Sequence, residues 1–143
     1  MAVQFLVLAN KQGKTRLSKW YINISDEEKI KIERELYRTI ILRDTKFSNF
    51  IEFRNYKIIY KKYAALYFII CVDLYDNELS IMEFIHLFVE TLDKFFGLVC
   101  ELDVVYNFYK VYGILDELII GGEIIETSKD KIVKKQRELE FYD

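Results

Sequence analysis

The chain has 143 residues, of which 52% are hydrophobic and 16% aromatic, and its formal net charge is -2 at pH 7. This length and apolar content predict one domain, residues 1–143, with a sizeable core. The nearly balanced charge excludes an overall basic footprint for nucleic acid and does not indicate an acidic tail. No segment approaches the roughly 18 apolar residues of a membrane span, and the N-terminus lacks signal-peptide features, so we expect a cytosolic protein.

Residues able to carry catalysis or bind a metal are sparse. Cys71 and Cys100 lie in apolar stretches without metal-ligand spacing, so both are predicted to be small buried hydrophobic residues. His86 is the single histidine, which excludes multi-histidine metal sites and histidine-pair acid-base schemes. The glycines at 13 and 121–122 lack the spacing and context of a phosphate-binding loop. The sequence therefore predicts neither an enzyme nor a cofactor.

The N-terminal residues predict a β-hairpin. An apolar run at 3–9 is followed by a turn at 10–14, where Asn10 and Gly13 accept turn geometry at little cost. The mixed polar and apolar residues at 15–22 are typical of a strand with one covered face.

Residues 25–44 predict an amphipathic helix. Ser25 and Glu28 have the spacing of a capping box, which satisfies free amides at the start of a helix. Apolar residues recur at helical spacing along this segment, at Ile32, Leu36 and Ile40.

The middle of the chain, residues 49–74, is dense in β-branched and aromatic residues, which are typical of a packed sheet. It predicts three further strands at 48–53, 56–63 and 66–74. Because an isolated small sheet is not stable in water, helices from elsewhere in the chain must cover it.

Residues 76–97 predict the longest helix, with Asp76 or Asn77 as its N-cap and Gly97 as its end. Two adjacent apolar stripes predict that this helix is buried on more than one side.

The remaining residues also predict helices. Residues 101–120 keep helical spacing, and Gly113 permits a close crossing or a bend within them. Residues 126–143 predict a mainly charged, weakly amphipathic helix. The whole order, two strands, a helix, three strands and then helices, predicts an α+β fold with a five-stranded antiparallel sheet packed against helices.

Basic residues cluster on two strand segments among aromatic residues. They are Lys14, Arg16, Lys19, Arg54, Lys57, Lys61 and Lys62. A nucleic-acid platform is disfavoured by the acidic balance and by missing glycine-aromatic motifs. We expect a protein- or phosphate-binding face instead.

Five segments in order carry a family resemblance. They are QGKTRLSKWY at 12–21, FRNYKIIYKKYAALYF at 53–68, IHLFVE at 85–90, VCELDVVYNFYKVYGILDEL at 99–118 and GGEIIETSK at 121–129. With matching gaps, they resemble the small (sigma) subunits of clathrin-associated heterotetrameric adaptor complexes. The resemblance implies a longin-like fold, in which a five-stranded antiparallel sheet lies between helices. It also implies a non-catalytic subunit that stabilises the complex core, with large adaptin subunits and a medium subunit as partners.

The same resemblance implies a binding site for acidic dileucine sorting signals in the tails of membrane cargo. Clathrin and membrane lipid would be reached indirectly, through the rest of the complex. The positions that align with the family's signal pocket are Arg16, Ala64, Leu66, Val89, Val99, Leu102 and Val104. Arg16 would face the acidic residue of the signal, and the apolar residues would line the pocket. A family asparagine near the pocket aligns with Leu98, which removes one polar partner.

Two types of complex remain open. KTRL, EFRN and NFYKVY resemble the endocytic type, which acts at the cytoplasmic face of the plasma membrane in clathrin-coated pits. DNEL, LDKFFG and the pair Gly121-Gly122 resemble the trans-Golgi and endosomal type. The end of the chain at Asp143 favours the endocytic type, since trans-Golgi relatives commonly extend further. A coatomer-type small subunit or a longin-domain trafficking regulator shares the fold and is a further alternative.

Overall fold

The computed structural model describes residues 3–41, 49–63, 65–120, 122–124 and 133. Its main sheet contains β1 (Val3–Asn10), β2 (Thr15–Trp20), β3 (Phe50–Phe53), β4 (Tyr56–Tyr63) and β5 (Leu66–Asp73). The strands run in the order β2-β1-β5-β4-β3, and every neighbouring pair is antiparallel. The predicted five-stranded antiparallel sheet is therefore confirmed, and the apolar strands β1 and β5 lie at its centre.

The turn between β1 and β2 is held by one buried side chain. Asn10 Oδ1 accepts hydrogen bonds from the amides of Gln12 and Lys14 at 3.0 and 2.9 Å. Gly13 has a φ of 82°, a left-handed conformation that a glycine adopts without strain. The predicted turn residues therefore do fix this hairpin.

One face of the sheet is covered by α1 (Asp26–Ile41). Ser25 Oγ accepts a hydrogen bond from the Glu28 amide at 3.2 Å, as expected of an N-cap. The Glu28 carboxylate accepts a bond from Arg54 Nη1 at 2.6 Å, which ties the helix to the β3–β4 turn. The α1-side cluster on this face includes Phe5, Val7, Ile32, Leu36, Ile40, Ile58, Ile69 and Cys71.

The other face packs against α2 (Glu78–Phe96), α3 (Glu101–Tyr106) and α4 (Phe108–Leu118). Asn77 caps α2 by accepting from the amides of Leu79 and Ser80, and the helix ends at Gly97, whose φ is 94°. The α2-side cluster includes Leu17, Leu66, Phe68, Phe84, Phe88, Val89, Leu92, Val99, Val104, Val111 and Leu115. The sheet between two layers of helix makes this an α+β fold.

The predicted single helix at 101–120 is wrong. The helix is interrupted at Asn107, whose φ of -122° and ψ of 35° are not helical, so α3 and α4 are separate helices. Asparagine leaves helical geometry readily because its side chain competes for backbone hydrogen bonds. The bend does not fall at Gly113, which lies inside α4.

Beyond α4 the chain forms a two-stranded ribbon that the sequence did not predict, β6 (Ile119–Ile120) with β7 (Glu123–Ile124). The Val3 amide donates to the Gly122 carbonyl at 2.7 Å, which joins this ribbon to the start of β1. The predicted helix at 126–143 lies outside the described residues except for Val133, which is buried.

The two cysteines differ. Cys71 is fully buried in the α1-side cluster, as predicted, and burial raises the pKa of its thiol. Cys100 is exposed, so the prediction that it is buried is wrong. It lies at the start of α3, where its amide donates to Asp103 Oδ2 at 2.9 Å and its side chain meets solvent.

Candidate functional site

Four of the apolar residues predicted to line a signal pocket are core residues of one cluster. Leu66, Val89, Val99 and Val104 are 1%, 3%, 8% and 0% exposed, and all belong to the α2-side cluster. They come from β5, α2, the 97–100 connection and α3, so the fold brings together residues far apart in sequence. In this conformation their side chains offer a ligand little apolar surface.

The other apolar positions lie differently. Leu102 is 61% exposed, on the outer side of α3, and the neighbouring Leu98 is 84% exposed. Ala64 lies outside the described residues. The predicted lining therefore divides into a buried part and a surface part.

The connection between α2 and α3 covers the buried part. Val99 points into the cluster, while its amide donates to Asp93 Oδ1 at 2.9 Å. Gly97, at a φ of 94°, starts this connection with nothing within 4 Å of the place where a Cβ would stand.

Arg16 is placed by an irregularity in β2. Thr15 pairs with Ala9 and Leu17 with the adjacent Leu8, so Arg16 is one extra residue, as in a β-bulge. Thr15 contacts α1 through Glu33, whereas Leu17 belongs to the α2-side cluster. The bulge allows Arg16 to reach α3 on the same side of the sheet as Leu17.

The Arg16 guanidinium is bound to Glu101, the first residue of α3. Arg16 Nε donates to Glu101 Oε1 at 2.5 Å, and Asn10 Nδ2 donates to the same oxygen at 3.0 Å. These two side chains, Asn10 first and Arg16 second, lower the pKa of the Glu101 carboxyl. At neutral pH the site thus contains an ion pair whose side chains are 24% and 26% exposed.

The predicted basic face is divided among local ion pairs. Lys19 lies 3.6 Å from Asp116, Arg54 binds Glu28 and Glu35 on α1, and Lys57 lies 3.2 Å from Glu78. These pairs lie on different parts of the sheet. Nearby carboxylates therefore neutralise much of the positive charge. Arg16 pairs instead with Glu101 of α3, and its neighbour Leu17 belongs to the α2-side cluster.

Within the part of the chain that the structure describes, no three acidic, cysteine or histidine residues are arranged to hold a metal ion. His86 is exposed on α2 and pairs with Glu90 at 2.6 Å. None of the helices so described has the length and apolar character needed to cross a bilayer.

The sheet order and its two helical layers define an α+β domain of the longin-like class. The family model described as "Clathrin adaptor complex small chain" matches residues 2–142. The chain belongs to this family. The predicted family resemblance is therefore confirmed.

Several relatives are similar over nearly their full length. The AP-2 complex subunit sigma of Neurospora crassa is 56% identical over 139 residues, covering 96% of this chain and 97% of the relative. Its counterpart in Dictyostelium discoideum is 52% identical over 141 residues, covering 99% and 97%. The AP-1 complex subunit sigma-2 of Dictyostelium discoideum is 52% identical over 134 residues, covering 94% and 87%.

A solved-structure comparison agrees with the fold. The chain matches one chain of a structure titled "Homology model of the full-length AP-3 complex in a stretched open conformation", with a TM-score of 0.79 and 31% identity. The match covers 98% of this chain and 94% of that one.

Three polar residues of the site were not predicted from the sequence: Asn10, Asp93 and Glu101. The sequence predicts only a turn role for Asn10, although its side-chain amide also reaches α3. Glu101 lies within the segment VCELDVV that supplied three of the predicted pocket residues. An acidic residue amid predicted apolar lining was a signal that could have drawn attention to it.

Proposed function

We propose that the chain is the non-catalytic small subunit of an AP-2-type clathrin adaptor complex and helps bind acidic dileucine signals in cargo tails during endocytosis. The observation that carries the proposal is the ion pair of Arg16 with Glu101 on α3, the helix whose Val104 joins the apolar cluster of Leu66, Val89 and Val99. A cation beside apolar side chains matches a ligand with an acidic residue followed by two leucines. Family membership supports the adaptor role independently.

The assignment of partners rests on exposed apolar side chains around α3 and α4. The large ones on this surface are Leu98, Leu102, Tyr106, Phe108 and Tyr109, with exposures between 52% and 84%. A group of this kind on one surface marks a protein interface more often than free surface. We assign it to a large adaptin subunit, so that the chain stabilises the core of the complex while the medium subunit lies elsewhere.

The expected affinity is modest. Burying two leucine side chains contributes about 3–6 kcal/mol, and one hydrogen bond to a charged group about 1.5–3 kcal/mol. Opening the α2-side cluster and ordering the peptide offset part of this gain. Efficient capture then depends on other contacts of the complex, including those of its remaining subunits with lipid and clathrin.

The AP-2 assignment is supported by the relatives. The identity of 56% to the Neurospora crassa AP-2 subunit exceeds the 52% to the Dictyostelium AP-1 subunit. On this basis we propose that the protein acts at the cytoplasmic face of the plasma membrane, in clathrin-coated pits. The trans-Golgi and endosomal complex is the second candidate, because the Dictyostelium AP-1 and AP-2 subunits are both 52% identical to the chain.

Co-purification with a tagged chain from its own cells, followed by mass identification of the bound subunits, tests the assembly. We expect the large and medium subunits of AP-2. The same complex, assembled with Arg16→Ala, should bind an acidic dileucine peptide about tenfold or more weakly, since one charge-assisted hydrogen bond is lost. Fluorescence anisotropy of a labelled peptide measures this loss.

Lys19→Ala is the matched control, because it removes a positive charge from the same strand at a residue that pairs with Asp116 instead. It should leave peptide affinity unchanged. Equal binding by the wild type and Arg16→Ala would contradict the signal site, and recovery of AP-1 subunits alone would contradict the AP-2 assignment.

A further inference from the structure

The site contains a negative charge where an acidic ligand would need a positive one. Glu101 Oε1 lies 2.5 Å from Arg16 Nε, so the net charge of the pair is zero when both groups are ionised. We propose that Glu101 is an internal competitor for Arg16 that limits the affinity of the site for acidic peptides. This inference rests on the proposed function, since the acidic peptide is the ligand proposed there.

Glu101 is held independently of Arg16. Asn10 is only 6% exposed, and its Oδ1 is occupied by the amides of Gln12 and Lys14 in the turn. Its Nδ2 must therefore point away from the turn, and it donates to Glu101 Oε1 at 3.0 Å. The carboxylate is thus fixed from the sheet side, and it stays in place when Arg16 turns toward a ligand.

The guanidinium keeps donors for a ligand. Glu101 engages Nε, and among the described residues no contact of the two terminal nitrogens of Arg16 is seen. A ligand carboxylate at those nitrogens would lie across the guanidinium from Glu101. Both carboxylates would then interact with the same positive charge. Two anions on one cation each gain less than either would alone, so Glu101 weakens the ligand's ion pair without blocking it.

Glu101→Gln separates charge from geometry. A glutamine carbonyl oxygen accepts hydrogen bonds from Arg16 Nε and Asn10 Nδ2 as the carboxylate does, but it carries no charge. In the assembled complex we expect this variant to bind the acidic dileucine peptide roughly three- to tenfold more tightly, as expected for one partly screened charge at short range. A peptide with glutamine in place of its acidic residue should show no such gain.

The matched control is Asp116→Asn, which removes one negative charge from α4, where Asp116 pairs with Lys19. It should leave both peptides' affinities unchanged, whereas a gain equal to that of Glu101→Gln would show a general charge effect and overturn the inference. Glu101→Ala provides a second variant, which should also bind the acidic peptide more tightly than the wild type. Unchanged or weaker binding by both Glu101 variants would overturn the competitor role.

The outcomes also separate this inference from the proposed function. If the wild-type complex does not bind the acidic peptide, the signal-binding function fails. In that case a Glu101→Gln complex that gains binding still supports the competitor role, and one that gains none overturns it.

Discussion

The two faces of the sheet are covered in different ways. The α1-side face is covered by one helix that follows directly after the first hairpin, and it also receives polar contacts from β2. Thr15 Oγ1 donates to Glu33 Oε2 at 3.0 Å and is hydrogen-bonded to Tyr37. The α2-side face is covered by three helices from the second half of the chain.

The faces also differ in what they leave exposed. Among the large apolar side chains in the described residues, Ile30 is the exposed one on α1, at 56%. The α3 and α4 surface has several, including Tyr106 at 73% and Tyr109 at 55%. The α1 side therefore completes its own layer, whereas the α2 side combines a large core with a surface suited to a partner.

The largest expected effect is on the α2-side cluster. Phe88 is fully buried and meets Phe68 edge-on, with 5.8 Å between ring centroids. Phe88→Ala should lower the free energy of unfolding by about 3–5 kcal/mol, through lost burial and the cavity left behind. Urea unfolding of the dilute chain, followed by the fluorescence of Trp20 on β2, measures this change.

Leu36→Ala gives the corresponding test on the α1 side. Leu36 is also fully buried, and its truncation should cost about 2–5 kcal/mol. Because the two residues belong to separate clusters on opposite faces, the double variant should equal the sum of the singles within about 0.5 kcal/mol. A larger coupling would show that the two faces are not independent.

The helix caps allow a finer comparison of the faces. Asn77 Oδ1 accepts from two amides of α2, at 2.9 and 3.3 Å, whereas Ser25 Oγ accepts from one amide of α1 at 3.2 Å. Each change to alanine should cost about 0.5–2 kcal/mol, with Asn77→Ala the larger. Urea unfolding measures both, and an equal or larger cost at Ser25 would contradict the ordering.

Local patterns predicted most of the fold. Asn77 and Gly97 marked the two ends of α2, and the turn residues Asn10 and Gly13 marked the first hairpin. These signals depend on a few neighbouring residues. The interruption at Asn107 escaped prediction because the apolar spacing on both sides of it is helical. In the structure, α3 packs against β2 and α4 packs against α2.

The candidate site was predicted in part. The resemblance identified Arg16 and the apolar residues, but it grouped Leu66 and Val104, which are core residues, with the exposed Leu102. Nor could it show the ion pair, because Arg16 and Glu101 are 85 residues apart and meet only when a bulge in β2 lies against α3. Contacts of this kind depend on tertiary structure.

The smallest effect is on the pH dependence of stability, and it contrasts one carboxylate on each side of the sheet. Burial raises the pKa of Glu33 on the α1 side, whereas hydrogen bonds from Asn10 and Arg16 lower the pKa of Glu101 on the α2 side. A raised carboxyl pKa means that the folded state binds more protons than the unfolded state. The stability that Glu33 contributes is therefore lost as pH rises above the ordinary carboxyl pKa of 4.5. A lowered pKa means that the folded state binds fewer protons. The stability that Glu101 contributes is therefore present above pH 4.5 and is lost as pH falls through the pKa of the folded state.

Two glutamine variants separate these contributions. The free energy of unfolding of Glu33→Gln, relative to that of the wild type, should increase as pH rises from 4 to 7. The relative free energy of unfolding of Glu101→Gln should decrease as pH rises over the lower part of that range. In acid this variant should approach the wild type, because the protonated glutamate and the glutamine are both neutral. Urea unfolding at stepped pH measures both differences. Curves that change in the same direction would show that the two carboxylates do not experience the opposite environments that burial and ion pairing give them.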